Sequence, residues 1–93
     1  MNTLLKQSIR QSIRENFAAY PESYPLNCGD VSEDAAYSVI HFAENEFDNT
    51  PAETPGEKGT KKDWLKICID EYINYFELDY DSVKEYFDYL LKG

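Results

Sequence analysis

Apolar residues recur at helical spacing in four separate stretches of this chain, and none alternates cleanly with the period of two that marks a half-buried strand. In the first stretch Leu5, Ile9, Ile13 and Phe17, with Leu4 beside them, make the buried stripe of a helix expected over 3–19. Asn2 or Thr3 is placed to cap it. Lys6, Arg10 and Arg14 form a parallel basic stripe. The tandem Gln-Ser-Ile-Arg at 7–10 and 11–14 is two turns of this one helix and too short for a repeat fold. Tyr20-Pro21 ends the helix, because a residue before proline is pushed out of the α region. The stretch PESYPLNCGD that follows is an irregular connection with two prolines and Gly29 as turn formers, and short strands around 20–28 are left open.

A second helix is expected near 32–47. Ser32 is a good N-cap, Glu33 and Asp34 suit the positive end of the helix dipole, and Val31 is placed to staple onto the first turn. Ala36, Val39, Ile40, Ala43 and Phe47 form its apolar face; Tyr37, His41, Glu44 and Asp48 share another. Residues 48–60, with two Pro, two Gly and no large apolar side chain, read as a long, exposed, mobile loop and the first place a protease should cut.

The third helix is expected over 61–77, with Thr60 and Asp63 as a capping box in which Asp replaces Glu. Its apolar face, Trp64, Leu65, Cys68, Ile69, Tyr72, Ile73 and Phe76, is wide enough for a central helix with neighbours on two sides. A fourth helix over 82–91 follows the capping-box spacing of Ser82 and Glu85, with Val83, Phe87, Leu90 and Leu91 facing inward. The expected fold is all-α, a small four-helix bundle-like single domain spanning 1–93, with a long loop between helices two and three. Its 93 residues fit one domain, with stability on the order of 5 kcal/mol.

Charge changes this picture more than size does. Eighteen acids face nine bases, for a net charge of −9. The charge is unevenly spread: +2 over 1–20, −9 over 21–57, +3 over 58–66 and −5 over 67–93. Such a chain should repel nucleic acid and anionic membrane and attract positive protein surfaces. The three cations of the first helix are better explained as partners for acids within the domain, or across a homodimer, than as phosphate ligands. Aromatic residues reach 15%, and eight are Tyr, a side chain that joins apolar area to a polar tip.

Candidate chemistry is sparse. One His excludes histidine-based zinc sites, and the four glycines form no phosphate loop. Asp79-Tyr80-Asp81 hints at a calcium loop but has Lys84 at the sixth position, where Gly is needed, and Leu90 at the twelfth, where Glu is needed. Cys28 and Cys68, forty residues apart, suggest neither a metal site nor a disulfide framework. A Cys28–His41 pair fares poorly against the plainer view of a loop thiol and a solvated imidazole. No enzyme activity, metal or organic cofactor is expected. Without an apolar leader or span in the sequence, a cytoplasmic protein with reduced thiols is expected.

What remains is acids interleaved with tyrosines in the last two helices. Asp70 and Glu77 on the third, and Asp81, Glu85 and Asp88 on the fourth, are accompanied by Tyr75, Tyr86 and Tyr89. Carboxylates at i and i+4 are about 6 Å apart along a helix axis, near the spacing of phosphates along a strand. The plainer alternative is a solvated face, but unpaired like charges at i,i+4 cost helix stability. In size, charge and helical content the chain resembles the acidic DNA-mimic proteins of phages and mobile elements, such as anti-restriction and anti-CRISPR proteins, and equally the acidic immunity proteins that neutralise nuclease toxins. The resemblance implies an inhibitor bound to the basic nucleic-acid surface of a nuclease or other nucleic-acid-binding enzyme, without direct nucleic-acid or membrane binding. The alternative is a helical adaptor or assembly module that docks a partner through the apolar face around Trp64.

Overall fold

The computed structural model describes residues 1–51 and 57–92. Four helices account for most of them: α1 (Thr3–Ala19), α2 (Glu33–Asn49), α3 (Lys61–Tyr75) and α4 (Tyr80–Lys92). The all-α, bundle-like architecture is the one the four amphipathic stretches predict.

Asn2 caps α1, its side-chain oxygen accepting from the Leu5 N–H at 2.8 Å. Ile9, Ile13 and Phe17 are buried and Leu5 half-buried, whereas Leu4, one position off the stripe, is 77% exposed. The helix closes with the Tyr20 N–H on the Asn16 carbonyl, and a single 3₁₀ turn, Pro21–Ser23, follows. The connection then contains a minimal hairpin, β1 (Leu26–Asn27) against antiparallel β2 (Asp30–Val31). Its two-residue turn needs left-handed backbone at both central positions, met by Cys28 (φ 52°) and Gly29 (φ 80°). Two-residue strands are too short to leave an alternation in the sequence.

Ser32 caps α2 through the Ala35 N–H at 3.1 Å, and the helix runs to Asn49, two residues beyond the expected end. Its last carbonyls are taken up by Lys58, whose ammonium donates to Phe47 O and Thr50 O, each at 2.7 Å, and lies 4.2 Å from the Phe47 ring centroid. The expected mobile loop is thus fastened on its C-terminal side; its central residues, 52–56, lie outside the described residues.

The capping box of α3 is complete, with the Thr60 N–H on Asp63 Oδ2 at 2.9 Å and the Asp63 N–H on Thr60 Oγ1 at 3.2 Å. Trp64, Ile67, Cys68, Ile69, Tyr72 and Ile73 are buried, and α3 packs against each of the other three helices, the central position its wide apolar face implies. The helix stops at Tyr75, short of the expected Glu77. The N–H of Leu78 reaches Ile73 O (3.0 Å) and that of Glu77 reaches Asn74 O (3.3 Å). This is the Schellman closure, which requires a left-handed residue after the cap. Glu77 takes that role, at φ 54°, where glycine is the usual occupant.

The start of α4 also differs from expectation. The Ser82 N–H donates to Asp79 Oδ2 at 3.0 Å and the Val83 N–H to Asp79 O at 3.1 Å, so Asp79 is the cap and Ser82 lies inside the helix. Val83 and Phe87 are fully buried and Leu90 packs on the core, but Leu91, expected inside, is 44% exposed. Around Phe17 the core is aromatic: Phe17 meets Tyr24 (4.8 Å between centroids), Phe76 (5.3 Å) and Tyr72 (6.0 Å), and Tyr72 meets Phe87 (6.0 Å).

Candidate interaction surface

The residues singled out in the sequence fall on three parts of the surface. On the α1–α3 side, Glu71 is 13% exposed and lies 2.8 Å from Arg14 Nε and 3.7 Å from Arg10 Nε. Arg10 and Arg14 of the α1 stripe are therefore matched by an acid within the domain. Tyr75 belongs here. Its ring is 5.0 Å from Phe17 and 4.9 Å from Phe76, and the Arg14 guanidinium lies 5.9 Å from its centroid. Arg10, Arg14, Glu71 and Tyr75 line an open cleft of about 540 Å³ with Gln7, Gln11, Glu15 and Ala18. Tyr75 thus joins α3 to α1 and stands apart from the α4 acids.

Asp70 also turns toward α1. It lines a cleft of about 370 Å³ with Met1, Lys6, Arg10, Asp63, Lys66 and Ile67, a neighbourhood of mixed charge. Its carboxylate meets the Tyr80 side chain, and that negative charge, with burial and a hydrogen bond behind it, raises the Tyr80 phenol above its ordinary value of 10.0. Asp70 Oδ1 is buried and has no hydrogen-bond partner among the described residues.

The remaining candidates belong to α4 and its approaches. Asp81, Glu85 and Asp88 are exposed and follow one another at helical spacings of four and three, opposite Val83 and Phe87. Lys84 pairs with Asp88 at 3.0 Å, an exposed i,i+4 contact of small energetic weight. Asp81 and Glu85 have no ion-pair partner among the described residues. Glu77, exposed, occupies the left-handed turn that leads into this row.

Tyr86 and Tyr89 flank the row on the side that faces α2. There they meet Tyr37 of α2, whose ring lies 6.4 Å from that of His41. Tyr37, Glu33, Tyr89, Leu90 and Lys92 line one open cleft of about 590 Å³. Burial raises the Tyr86 phenol above 10.0, and Glu33, Tyr37 and Tyr89 add to the effect. The fold therefore places Tyr75 on the α1–α3 side, keeps Asp70 in touch with the start of α4 through Tyr80, and brings Glu33 and Tyr37 beside Tyr86 and Tyr89. The helical period identified each side chain as outward, but which outward faces meet depends on how α2 and α4 pack around α3.

Two further residues invite a functional reading and receive a structural one. Trp64 is 2% exposed, and its indole N–H donates to Lys58 O at 2.7 Å, so the apolar face around it is consumed by the core. Cys68 is buried, which pushes its thiol up to about 12, with Glu46 and Glu71 adding to the effect. Among the described residues no three His, Cys, Asp or Glu side chains come together as a metal site, and no helix is long and apolar enough to cross a membrane.

Fold and surface together define a class, a small helical bundle with an acidic, tyrosine-flanked face on its last helix. No protein-family model, curated protein or solved structure matches the chain.

Proposed function

We propose that this protein is an inhibitor that binds the basic nucleic-acid surface of an enzyme, presenting α4 where the nucleic acid would lie. The observation that carries this reading is the Asp81–Glu85–Asp88 row, solvent-facing on a helix whose opposite side is buried. Carboxylates one turn apart match a row of phosphate-binding cations in spacing, about 6 Å along the axis. Tyr86 and Tyr89 beside the row, with Tyr37 across the cleft, supply contact area with little rotamer entropy to lose. A net charge of −9 favours fast approach to a positive surface. The adaptor alternative has less support, since the apolar face it would use is occupied by Lys58, Phe47 and the core.

The test is displacement of labelled DNA or RNA from a panel of nucleases and other enzymes with basic clefts. The protein should displace nucleic acid from its target without binding nucleic acid itself, and association should slow as salt rises. Reversing three charges together, Asp81→Lys, Glu85→Lys and Asp88→Lys, should slow association at least about tenfold with the circular dichroism spectrum unchanged. A triple variant that inhibits as well as the parent, or a parent that displaces nothing from any of the panel, would sink the reading.

A further inference from the structure

Tyr37 on α2 and Tyr89 on α4 line the same open cleft, and they are 41% and 72% exposed. Two exposed rings facing one cleft form an aromatic patch that a partner can cover. Tyr86 stands beside them, three residues before Tyr89 on the same helix, and Glu33 lines the cleft from the first turn of α2. The groups present fix what the cleft can hold. Tyrosine π-faces attract cations and stack flat guanidinium groups; a carboxylate next to them completes a guanidinium site through paired N–H donors. A phosphate or carboxylate would meet Glu33 and the electron-rich ring faces, with only Lys92 to welcome it. A wholly apolar segment would leave Glu33 facing it without a partner. The wider field agrees, since α2 carries Glu33, Asp34, Glu44, Glu46 and Asp48 and not one Lys or Arg.

Resting on the function proposed above, we infer that this cleft is an arginine socket: it receives an arginine side chain from the basic partner, the guanidinium stacked between Tyr37 and Tyr89 and paired with Glu33. The α4 row sets the approach, and the socket fixes the register. Lys92 lines the same cleft and is, among the described residues, the one cation there that would compete with the arginine for Glu33.

The experiment is a titration of the full isotope-labelled chain at physiological salt with two capped peptides of equal charge, hexa-arginine and hexa-lysine. The largest shifts should fall on Glu33, Tyr37, Tyr86 and Tyr89, and hexa-arginine should bind several-fold more tightly than hexa-lysine. The charge-preserving double variant Tyr37→Leu, Tyr89→Leu should weaken hexa-arginine about tenfold and erase the preference. Lys92→Gln should tighten binding about twofold, and Glu33→Gln should weaken it. If the double variant fails to fold, Tyr89→Leu alone, at the most exposed of the rings, carries the test with a smaller loss. Equal affinity for the two peptides, or shifts centred on Asp81, Glu85 and Asp88 with the tyrosine variants unaffected, would overturn the socket. That failure would leave the inhibitor reading intact, because nucleic-acid displacement and the α4 charge reversal test it separately. Arginine selectivity in a protein that displaces nucleic acid from nothing would have the opposite meaning.

Discussion

The only tryptophan of the chain donates its indole N–H to the main-chain carbonyl of Lys58, and Lys58 in turn donates its ammonium to the last turn of α2. Two residues six apart thereby tie the end of one helix to the first turn of the next. The Phe47 ring, edge-on to Trp64 at 5.8 Å between centroids, fills the space between them. Replacing Lys58 by Met keeps the stem but takes the ammonium from the Phe47 and Thr50 carbonyls, leaving Phe47 O with only the long bond from the Thr50 N–H at 3.4 Å. The expected loss is about 1–2 kcal/mol by urea denaturation followed through Trp64 fluorescence. An unchanged midpoint would mean that water replaces the ammonium at no cost.

The start of α4 offers a clean contrast between two neighbours. Asp79→Ala removes the side chain that caps the helix and should cost about 1 kcal/mol. Ser82→Ala, which the sequence alone would rank as the damaging change, should be close to neutral or slightly stabilising, since Ala is the better interior residue. The reverse order in thermal melts would place the cap at Ser82.

Glu77 holds a left-handed conformation that strains any residue with a Cβ. Glu77→Gly should stabilise the fold by up to about 1 kcal/mol, the gain from relieved strain being offset by the entropy of a freer unfolded chain. If Glu77 also contributes to the acidic approach, the same variant should bind its basic partner more slowly. Stability and association would then move in opposite directions, a pattern that loss of folding cannot produce.

Alkaline and acid limits follow from the shifted groups. Burial pushes the Cys68 thiol from 9.0 to about 12, and the Tyr24 and Tyr72 phenols from 10.0 to about 12. The folded state thus holds protons that the unfolded chain releases first. The associated stability is whole below about pH 9 and drains away as pH rises toward 12. Asp63 acts at the other end: backbone and side-chain hydrogen bonds from Thr60 hold its carboxyl below 3.8, so its contribution is present above that value and lost as pH falls beneath it. A denaturation midpoint measured across pH should show both edges. A disulfide-exchange reagent at neutral pH should modify Cys28 at once and Cys68 only on unfolding. Two equally fast thiols would contradict the buried position of Cys68.

Much of this architecture was legible in the chain because four long stripes with capping residues leave few alternatives. Asn2, Ser32 and the Thr60–Asp63 pair act as their spacing implies. The errors cluster where the local pattern is ambiguous. At 76–82 the apolar period runs on past Tyr75 and the Ser82–Glu85 spacing points to a cap at Ser82, whereas the chain turns at Glu77 and Asp79 caps α4. In the hairpin at 26–31 each strand is too short to display a period. The candidate surface was half legible: the outward acids of α4 were evident, but Tyr75 belongs to the α1–α3 seam. Conversely, Tyr37 reaches the cleft through the packing of α2 and α4, which no spacing within either helix encodes.

Of the four helices, α4 has the smallest share of the core, with only Val83 and Phe87 fully buried. Its amides should therefore exchange with solvent through local openings that leave the rest of the domain closed. A partner that grips the outer side of α4 would suppress those openings. Part of its binding energy would then appear as slowed hydrogen exchange on the inner side, at residues the partner never touches. The map of protected amides would consequently be larger than the footprint, and would extend through Val83 and Phe87 toward α3.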